Sequence, residues 1–266
     1  MRTIALLYHD VVPAGQYAAS GFGGADADIY KLHVDEFESH LREIARAAAQ
    51  SKVSGRAAGA DEEPRLLLTF DDGGVSSILY TADLLEQFGF HGHFFITTDQ
   101  IGKADFLNEI QIRELHRRSH VIGSHSCSHP ARMSHCIRKQ LDYEWSESAQ
   151  RLSQILGDEV TTASVPGGYY SREVAESAAA AGLCQLFTSE PVTSSHLVEG
   201  CTVVGRFSVQ RGVSPQWVGS VVSGHVVPRL QQYIFWNGKK ILKAAGGETW
   251  LAMRRKILAR RAKSTE

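Results

Sequence analysis

Apolar and polar positions along this chain follow two different periods. Short, nearly unbroken apolar runs at Ile4 to Tyr8, Leu66 to Phe70, His93 to Ile96 and Val121 to Ser124 have the length and character of buried strands. Between and after them, Phe37 to Ala49, Ser76 to Phe88, Asn108 to Arg118, Ile137 to Leu156 and Arg172 to Ala181 read as helices. Ser214-Pro215 starts a further predicted helix running through Trp217 towards His225. Strands that alternate with helices predict a parallel β/α architecture. No internal repeat is visible.

Two stretches break the pattern. Gly15 to Asp28 is rich in Gly, Ala and Asp and follows the first strand, the place for a loop that covers a site. Ser51 to Glu63 reads as a flexible surface connection. Neither is long enough to separate domains. A length of 266 residues with 43% hydrophobic content supports one barrel or two small domains with a sizeable core.

The strand Leu66 to Phe70 ends in Asp71-Asp72-Gly73-Gly74. Two carboxylates at one strand end need a cation, a proton or open solvent, because an unpaired buried carboxylate is costly. About fifty residues on, Val121 to Ser124 is followed by His125-Ser126-Cys127-Ser128-His129-Pro130. Twelve histidines in 266 residues give about 0.5 pairs four apart by chance, so spacing alone decides little. His116 and His120 share that spacing, but their polar neighbours predict a solvated helix face. His125 and His129 instead follow a strand among small residues, which fits a mononuclear metal site.

Thr69-Phe70-Asp71-Asp72-Gly73 and His125-Ser126-Cys127-Ser128-His129 together resemble the first two motifs of the polysaccharide deacetylases, the NodB-like carbohydrate esterases of family 4. The likeness extends to His93 to Ile96 and to Ser164-Val165-Pro166-Gly167-Gly168-Tyr169, covering roughly residues 3 to 190. It implies a distorted (β/α) barrel with fewer than eight repeats. It also implies that Asp72, His125 and His129 hold a divalent metal, with Asp71 as catalytic base. Three protein ligands leave a tetrahedral metal one open position, the mark of a catalytic site. A carboxylate that is not a ligand can then serve as base towards water. Zinc is the default for one carboxylate and two imidazoles, with cobalt or nickel compatible with the same donors.

The third motif departs from the commonest pattern in two places. Ser164 stands where an arginine usually orients the base, so that function must come from elsewhere; Arg206, after Thr202-Val203-Val204, is one candidate. Gly167 stands where an aromatic usually follows the proline. The family uses the backbone N–H there for the oxyanion, and glycine keeps that donor. The acid that protonates the leaving amine is usually a late histidine, but His225 falls in the predicted helix. Ile4-Ala5-Leu6-Leu7-Tyr8-His9-Asp10 places His9 at a strand end instead. First and last strands of a barrel are neighbours, so His9 fits a circularly permuted branch of the family that includes poly-N-acetylglucosamine and exopolysaccharide deacetylases. The competing role for His9 is a loop histidine paired with Asp10.

Cys127, Cys136, Cys184 and Cys201 form no Cys-x-x-Cys pair, as expected in a reducing cytoplasm. Cys127 lies two residues from each ligand histidine, which on a helical turn directs it away from the metal as a small buried residue. The apolar run from Ile4 to Tyr8 is too short for a signal peptide or membrane span.

Residues 229–266 hold ten Lys or Arg against two Glu, a formal +8, whereas residues 1–228 hold 18 against 27, a formal −9. We therefore divide the chain into a barrel domain, 1–228, and a basic helical extension, 229–266. Trp250, Met253, Ile257 and Leu258 can share a helical face flanked by arginines, suited to packing on the barrel or to peripheral contact with an anionic membrane or a glycan-assembly protein. No nucleic-acid reading motif accompanies the charge. The expected activity is metal-dependent removal of an N-acetyl group from an amino sugar of a polysaccharide, exopolysaccharide or lipid-linked glycan precursor, at or near the cytoplasmic side of the membrane. Alternatives are deformylation or another non-peptide amide hydrolysis on the same scaffold, or glycan binding without turnover.

Overall fold

The computed structural model describes residues 2–51 and 65–238. The connection expected over Ser51 to Glu63 lies almost wholly outside the described residues, as does the face formed by Trp250, Met253, Ile257 and Leu258.

The strands are β1 (Thr3–Tyr8), β2 (Val11–Val12), β3 (Leu32–His33), β4 (Arg65–Phe70), β5 (Gly92–Ile96), β6 (Val121–Ser124), β7 (Thr162–Ser164), β8 (Gln185–Phe187), β9 (Ser195–Val198), β10 (Cys201–Val204) and β11 (Phe207–Ser208). Nine of them form one curled sheet in the order β11-β1-β4-β5-β6-β7-β8-β10-β9, while β2 and β3 pair separately. Every neighbour in the large sheet is parallel except β9 against β10. This is the parallel β/α architecture expected from the alternation, curled into the distorted barrel that the family resemblance implies.

The helices are α1 (Ala25–Asp28), α2 (Val34–Ser51), α3 (Ala82–Gln87), α4 (Glu109–Arg117), α5 (Arg138–Leu156), α6 (Arg172–Ala180) and α7 (Pro215–Val222). Their starts follow local chemistry. Asn108 and Gln111 form a reciprocal capping box at α4, and the Ser214 side chain caps α7 just before its Pro215. One expectation is corrected here: His120 follows α4 but is buried, accepting the Gly92 N–H at Nδ1 (3.0 Å) with Nε2 3.1 Å from Glu86. It is a satisfied core histidine, not part of a solvated face.

Side-chain alternation sorts the core and locates the site. On β1 and β4, Ile4, Leu6, Tyr8, Leu66, Leu68 and Phe70 join the large cluster under the helices. Ala5, Leu67, Phe95, Phe187 and Val204 form a separate small cluster within the curl of the sheet. Because strand residues repeat every two positions, His9, Asp71 and Arg206 continue the inward lines that begin at Ala5, Leu67 and Val204. They reach the mouth at the C-terminal strand ends.

The seam between the two sides of the sheet is bridged by chain rather than by a continuous ladder. Thr3 N–H donates to Thr193 O (3.0 Å), and Gly205-Arg206 carries the chain from β10, beside β8, to β11, beside β1. Gly205 runs so close to Glu190 O and Val192 that a side chain would not fit.

Candidate metal centre and catalytic site

Asp71 and Asp72 leave β4 in different backbone states, and this separates their partners. Asp72 has φ 77° and Gly73 φ 83°, a sharp left-handed turn that aspartate tolerates better than most residues. Asp71 is 4% exposed and engaged on both oxygens. Arg206 donates from Nη1 to Oδ1 (2.7 Å) and from Nη2 to Oδ2 (2.8 Å), and Ser164 Oγ donates to Oδ2 (3.0 Å). Burial would raise the Asp71 carboxyl pKa, but the Arg206 guanidinium, followed by His125 and His9, holds it below the ordinary carboxylate range.

Asp72 faces imidazoles instead. Its Oδ1 lies 3.3 Å from His125 Nε2 and 3.6 Å from His129 Nε2, and the three donor atoms all fall within 4.8 Å of one another. Metal–ligand bonds of about 2.0–2.1 Å at tetrahedral angles place donor atoms about 3.3–3.4 Å apart, so this triangle has the size a small divalent ion requires. His125 Nδ1 lies 2.9 Å from Ser164 O, which can only accept; Nδ1 therefore carries a proton, and Nε2 is the nitrogen that faces the triangle. Burial would lower the His125 pKa, but Asp71 and Asp72 outweigh it and hold that pKa above its ordinary value, whereas burial lowers that of His129. Two imidazoles around an ionised, buried carboxylate are a donor set in which a cation would take the place of the Nε2 proton.

The histidine segment is not the helical turn expected from its spacing. Ser126 (φ 64°) and His129 (φ 56°) are left-handed, and the segment is a folded loop. Glu144 of α5 holds that loop, accepting from the backbone N–H groups of Cys127 (2.9 Å) and Ser128 (2.9 Å) and from Ser128 Oγ (2.5 Å). The Ser126 hydroxyl accepts the His129 N–H (3.1 Å). Cys127 is buried as expected, and burial pushes its thiol up to about 11.

His9 lies at the same mouth. Its ring lies 4.6 Å from that of Tyr30 at a tilt of 34°, its buried Nδ1 lacks a hydrogen-bond partner, and a positive charge on it would lower both Asp71 and Asp72. It is not paired with Asp10. Buried Asp10 accepts instead from Ser20 Oγ (2.6 Å) and Ser76 Oγ (2.8 Å), pinning the Gly15–Asp28 segment beside Gly74. That segment carries Phe22, whose ring lies 5.0 Å from the His129 ring and 5.1 Å from Phe106. Gly167, in the Pro166–Gly168 turn after β7, is left-handed at φ 60°. His225 follows α7 and is exposed.

Arg206 is fully buried, its guanidinium 5.7 Å from the Phe95 ring centroid and 5.9 Å from that of Phe187. It also donates to Thr69 Oγ1 (3.1 Å), Thr188 O (3.0 Å) and Ser164 Oγ (2.7 Å). The position vacated by arginine at Ser164 is thus filled from the β10–β11 seam, and Ser164 is a third member of the network. Glu144 and Asp10 were missed as supports. For Glu144 a signal existed: a carboxylate sharing the buried helical stripe of Leu141, Trp145 and Ser148 must have a partner.

Residues 58–186 match the polysaccharide deacetylase family model. YxkH of Bacillus subtilis (strain 168), whose name places it among polysaccharide deacetylases, is 25% identical over 193 residues, spanning 70% of this chain and 68% of that protein. Among solved structures, IcaB from Ammonifex degensii superposes with a TM-score of 0.66 at 20% identity, covering 84% of this chain and 97% of that one. The Streptococcus pyogenes deacetylase PplD, solved with acetate, gives 0.64 at 17% identity, covering 81% and 96%. The two solved structures share the curled barrel, and the segment that carries Asp71, Asp72, His125 and His129 matches the polysaccharide deacetylase family model.

Proposed function

We propose that this protein is a metal-dependent hydrolase that removes an N-acetyl group from an amino sugar of a polysaccharide or glycan precursor. The observation that carries the reading is the unequal treatment of two adjacent carboxylates. Asp71 is neutralised and oriented by Arg206, whereas Asp72 completes a three-donor triangle with His125 and His129. A purely structural pair would not require that asymmetry.

Asp72, His125 and His129 would hold the metal, which when bound supplies Lewis acidity to a water and an acyl carbonyl. Asp71, kept ionised by Arg206, accepts the proton of the attacking water. The water oxygen bonds to the acyl carbon, and the Gly167 N–H, as the family resemblance implies, donates to the oxyanion. His9 gives a proton to the amine nitrogen as the carbon–nitrogen bond breaks, releasing acetate and a free amino sugar. Phe22 and Tyr30 supply aromatic surface beside His129 and His9 on which a sugar ring can rest.

Elemental analysis of purified protein, paired with acetate release from N-acetylglucosamine oligomers, tests the reading. Wild type should bind about one transition metal; Asp72→Ala and His129→Ala should lose it together with activity, and Asp71→Asn should keep it while losing turnover. Formate released from a formylated sugar, with no acetate from acetylated ones, would replace deacetylation by deformylation. Failure to bind metal after reconstitution would overturn the hydrolase.

A further inference from the structure

The last described element is built inside out. Residues 226–238 are helical, and the face docked on the barrel places Arg229 and Gln232 beside buried Pro228 and half-buried Trp236. Arg229 donates from Nε (3.1 Å) and Nη2 (2.6 Å) to Val221 O and lies over the Phe207 ring at 5.7 Å, while Gln232 Nε2 donates to Ser208 O (2.7 Å). The opposite side is aliphatic: Val226 is 72% exposed, Val227 65%, Leu230 51% and Ile234 62%. At 100° per residue these four side chains fall within an arc of about 100°, facing away from Pro228, Arg229 and Gln232. A surface helix of a soluble domain ordinarily shows the reverse arrangement, and a contiguous aliphatic ridge of this kind marks an interaction surface.

We infer that this ridge is a membrane-docking surface that seats on an anionic lipid bilayer. Charge selects the occupant. Residues 239–266, which continue directly from the helix with Lys239 and Lys240, contain nine Lys or Arg and two Glu, whereas residues 1–228 are formally −9. A second copy docked on the ridge would bring two strongly cationic segments together and be opposed by them. An anionic surface attracts that segment at about 1 kcal/mol per basic residue near the headgroups, and it repels the acidic body. The apolar ridge and the basic segment then act as the two signals that stable peripheral binding needs, aliphatic insertion plus electrostatic attraction. The same polarity orients the molecule, with the helix towards lipid. This inference does not depend on the catalytic reading.

Co-sedimentation of the full chain with vesicles tests it. Wild type should partition onto phosphatidylcholine vesicles containing about one third phosphatidylglycerol, bind pure phosphatidylcholine weakly, and be released by high salt. A Leu230→Glu/Ile234→Glu double variant changes exposed positions away from the strand-end mouth. It should fold, as shown by an unchanged far-ultraviolet spectrum and melting temperature, and lose about tenfold or more in partitioning. Absence of binding to anionic vesicles by wild type would overturn the inference. So would undiminished binding by the folded double variant, which would assign the contact to the basic segment alone. A concentration-dependent dimer in light scattering, abolished by Ile234→Glu without any lipid effect, would reassign the ridge to self-association.

Discussion

Arg206 closes both of its terminal nitrogens on Asp71, 2.7 Å to Oδ1 and 2.8 Å to Oδ2, across 135 residues of chain. The pair is fully inside the barrel, where ionic contacts are strong only when every remaining donor is also satisfied. Here they are: Nε finds Thr188 O, Nη1 also finds Thr69, and Nη2 also finds Ser164. The guanidinium therefore fixes the orientation of the Asp71 carboxylate, the task that the family resemblance assigns to an arginine at position 164.

Arg206→Lys should fold and retain metal but lose about 10- to 100-fold in kcat, because an ammonium supplies charge without the two-pronged geometry. Arg206→Ala leaves a buried carboxylate uncompensated and should cost about 3–5 kcal/mol of stability besides activity. Ser164→Ala, which removes one hydroxyl from the network and leaves the ion pair, should have the smallest effect. Steady-state kinetics beside metal content separates these outcomes; a kinetically silent Arg206→Lys would remove arginine from the orientation of the base.

Glu144 is the corresponding support for the metal-binding loop. Glu144→Ala removes the carboxylate on which two backbone N–H groups and a hydroxyl converge, so all three loop contacts are lost. Metal affinity should fall about 10- to 100-fold, measured by competition with a chromogenic chelator, while saturating metal restores most of kcat. An unchanged affinity would mean that the left-handed turns at Ser126 and His129 hold the loop without help.

Much of this arrangement was legible locally, and what was not has one physical cause. The strand–helix alternation and the start of α4 at Asn108 follow from short-range pattern, and the grouping of Asp72, His125 and His129 from the family resemblance, because spacing alone decides little. Arg206 carried only a weak signal because its meaning depends on a partner reached across the barrel seam. It became readable once strand period placed Val204, and therefore Arg206, on the inward line. His120 was misplaced on the solvated face for the same reason: its polar sequence neighbours do not disclose Gly92 and Glu86, which satisfy it from other elements. The inverted helix over 226–238 is a related case, since which face docks is decided by Arg229 and Gln232 meeting carbonyl groups of Val221 and Ser208.

The proton-donor role proposed for His9 has a consequence that depends on the leaving group. An amine leaves poorly without a proton, whereas an activated phenol does not need one. His9→Gln should therefore reduce amide hydrolysis about 100- to 10,000-fold while sparing hydrolysis of an aryl acetate, with metal content unchanged. Parallel losses on both substrates would place His9 in binding or folding, through its ring contact with Tyr30, rather than in proton transfer.

His93 ties the stability of the barrel to pH in a window that can be stated in advance. It is buried on β5 against Phe187, with Nδ1 lacking a partner, and burial, reinforced by Arg65, pushes its pKa from 6.5 down to about 4. The folded protein thus refuses a proton that the unfolded chain accepts between those values, so stability is complete above about pH 6.5 and declines as pH falls towards 4. The displacement corresponds to about 3 kcal/mol by the acid end of that range. Burial lowers His120 to about 4 as well, and it adds to the same decline. Urea midpoints measured with chelator present, so that metal release does not contribute, should fall over this interval. Burial also lowers His40 and His129, so His93→Leu removes one of several titrating groups and should make the slope shallower without abolishing it; an unchanged slope would mean that the inner barrel solvates His93 and that the acid sensitivity arises elsewhere.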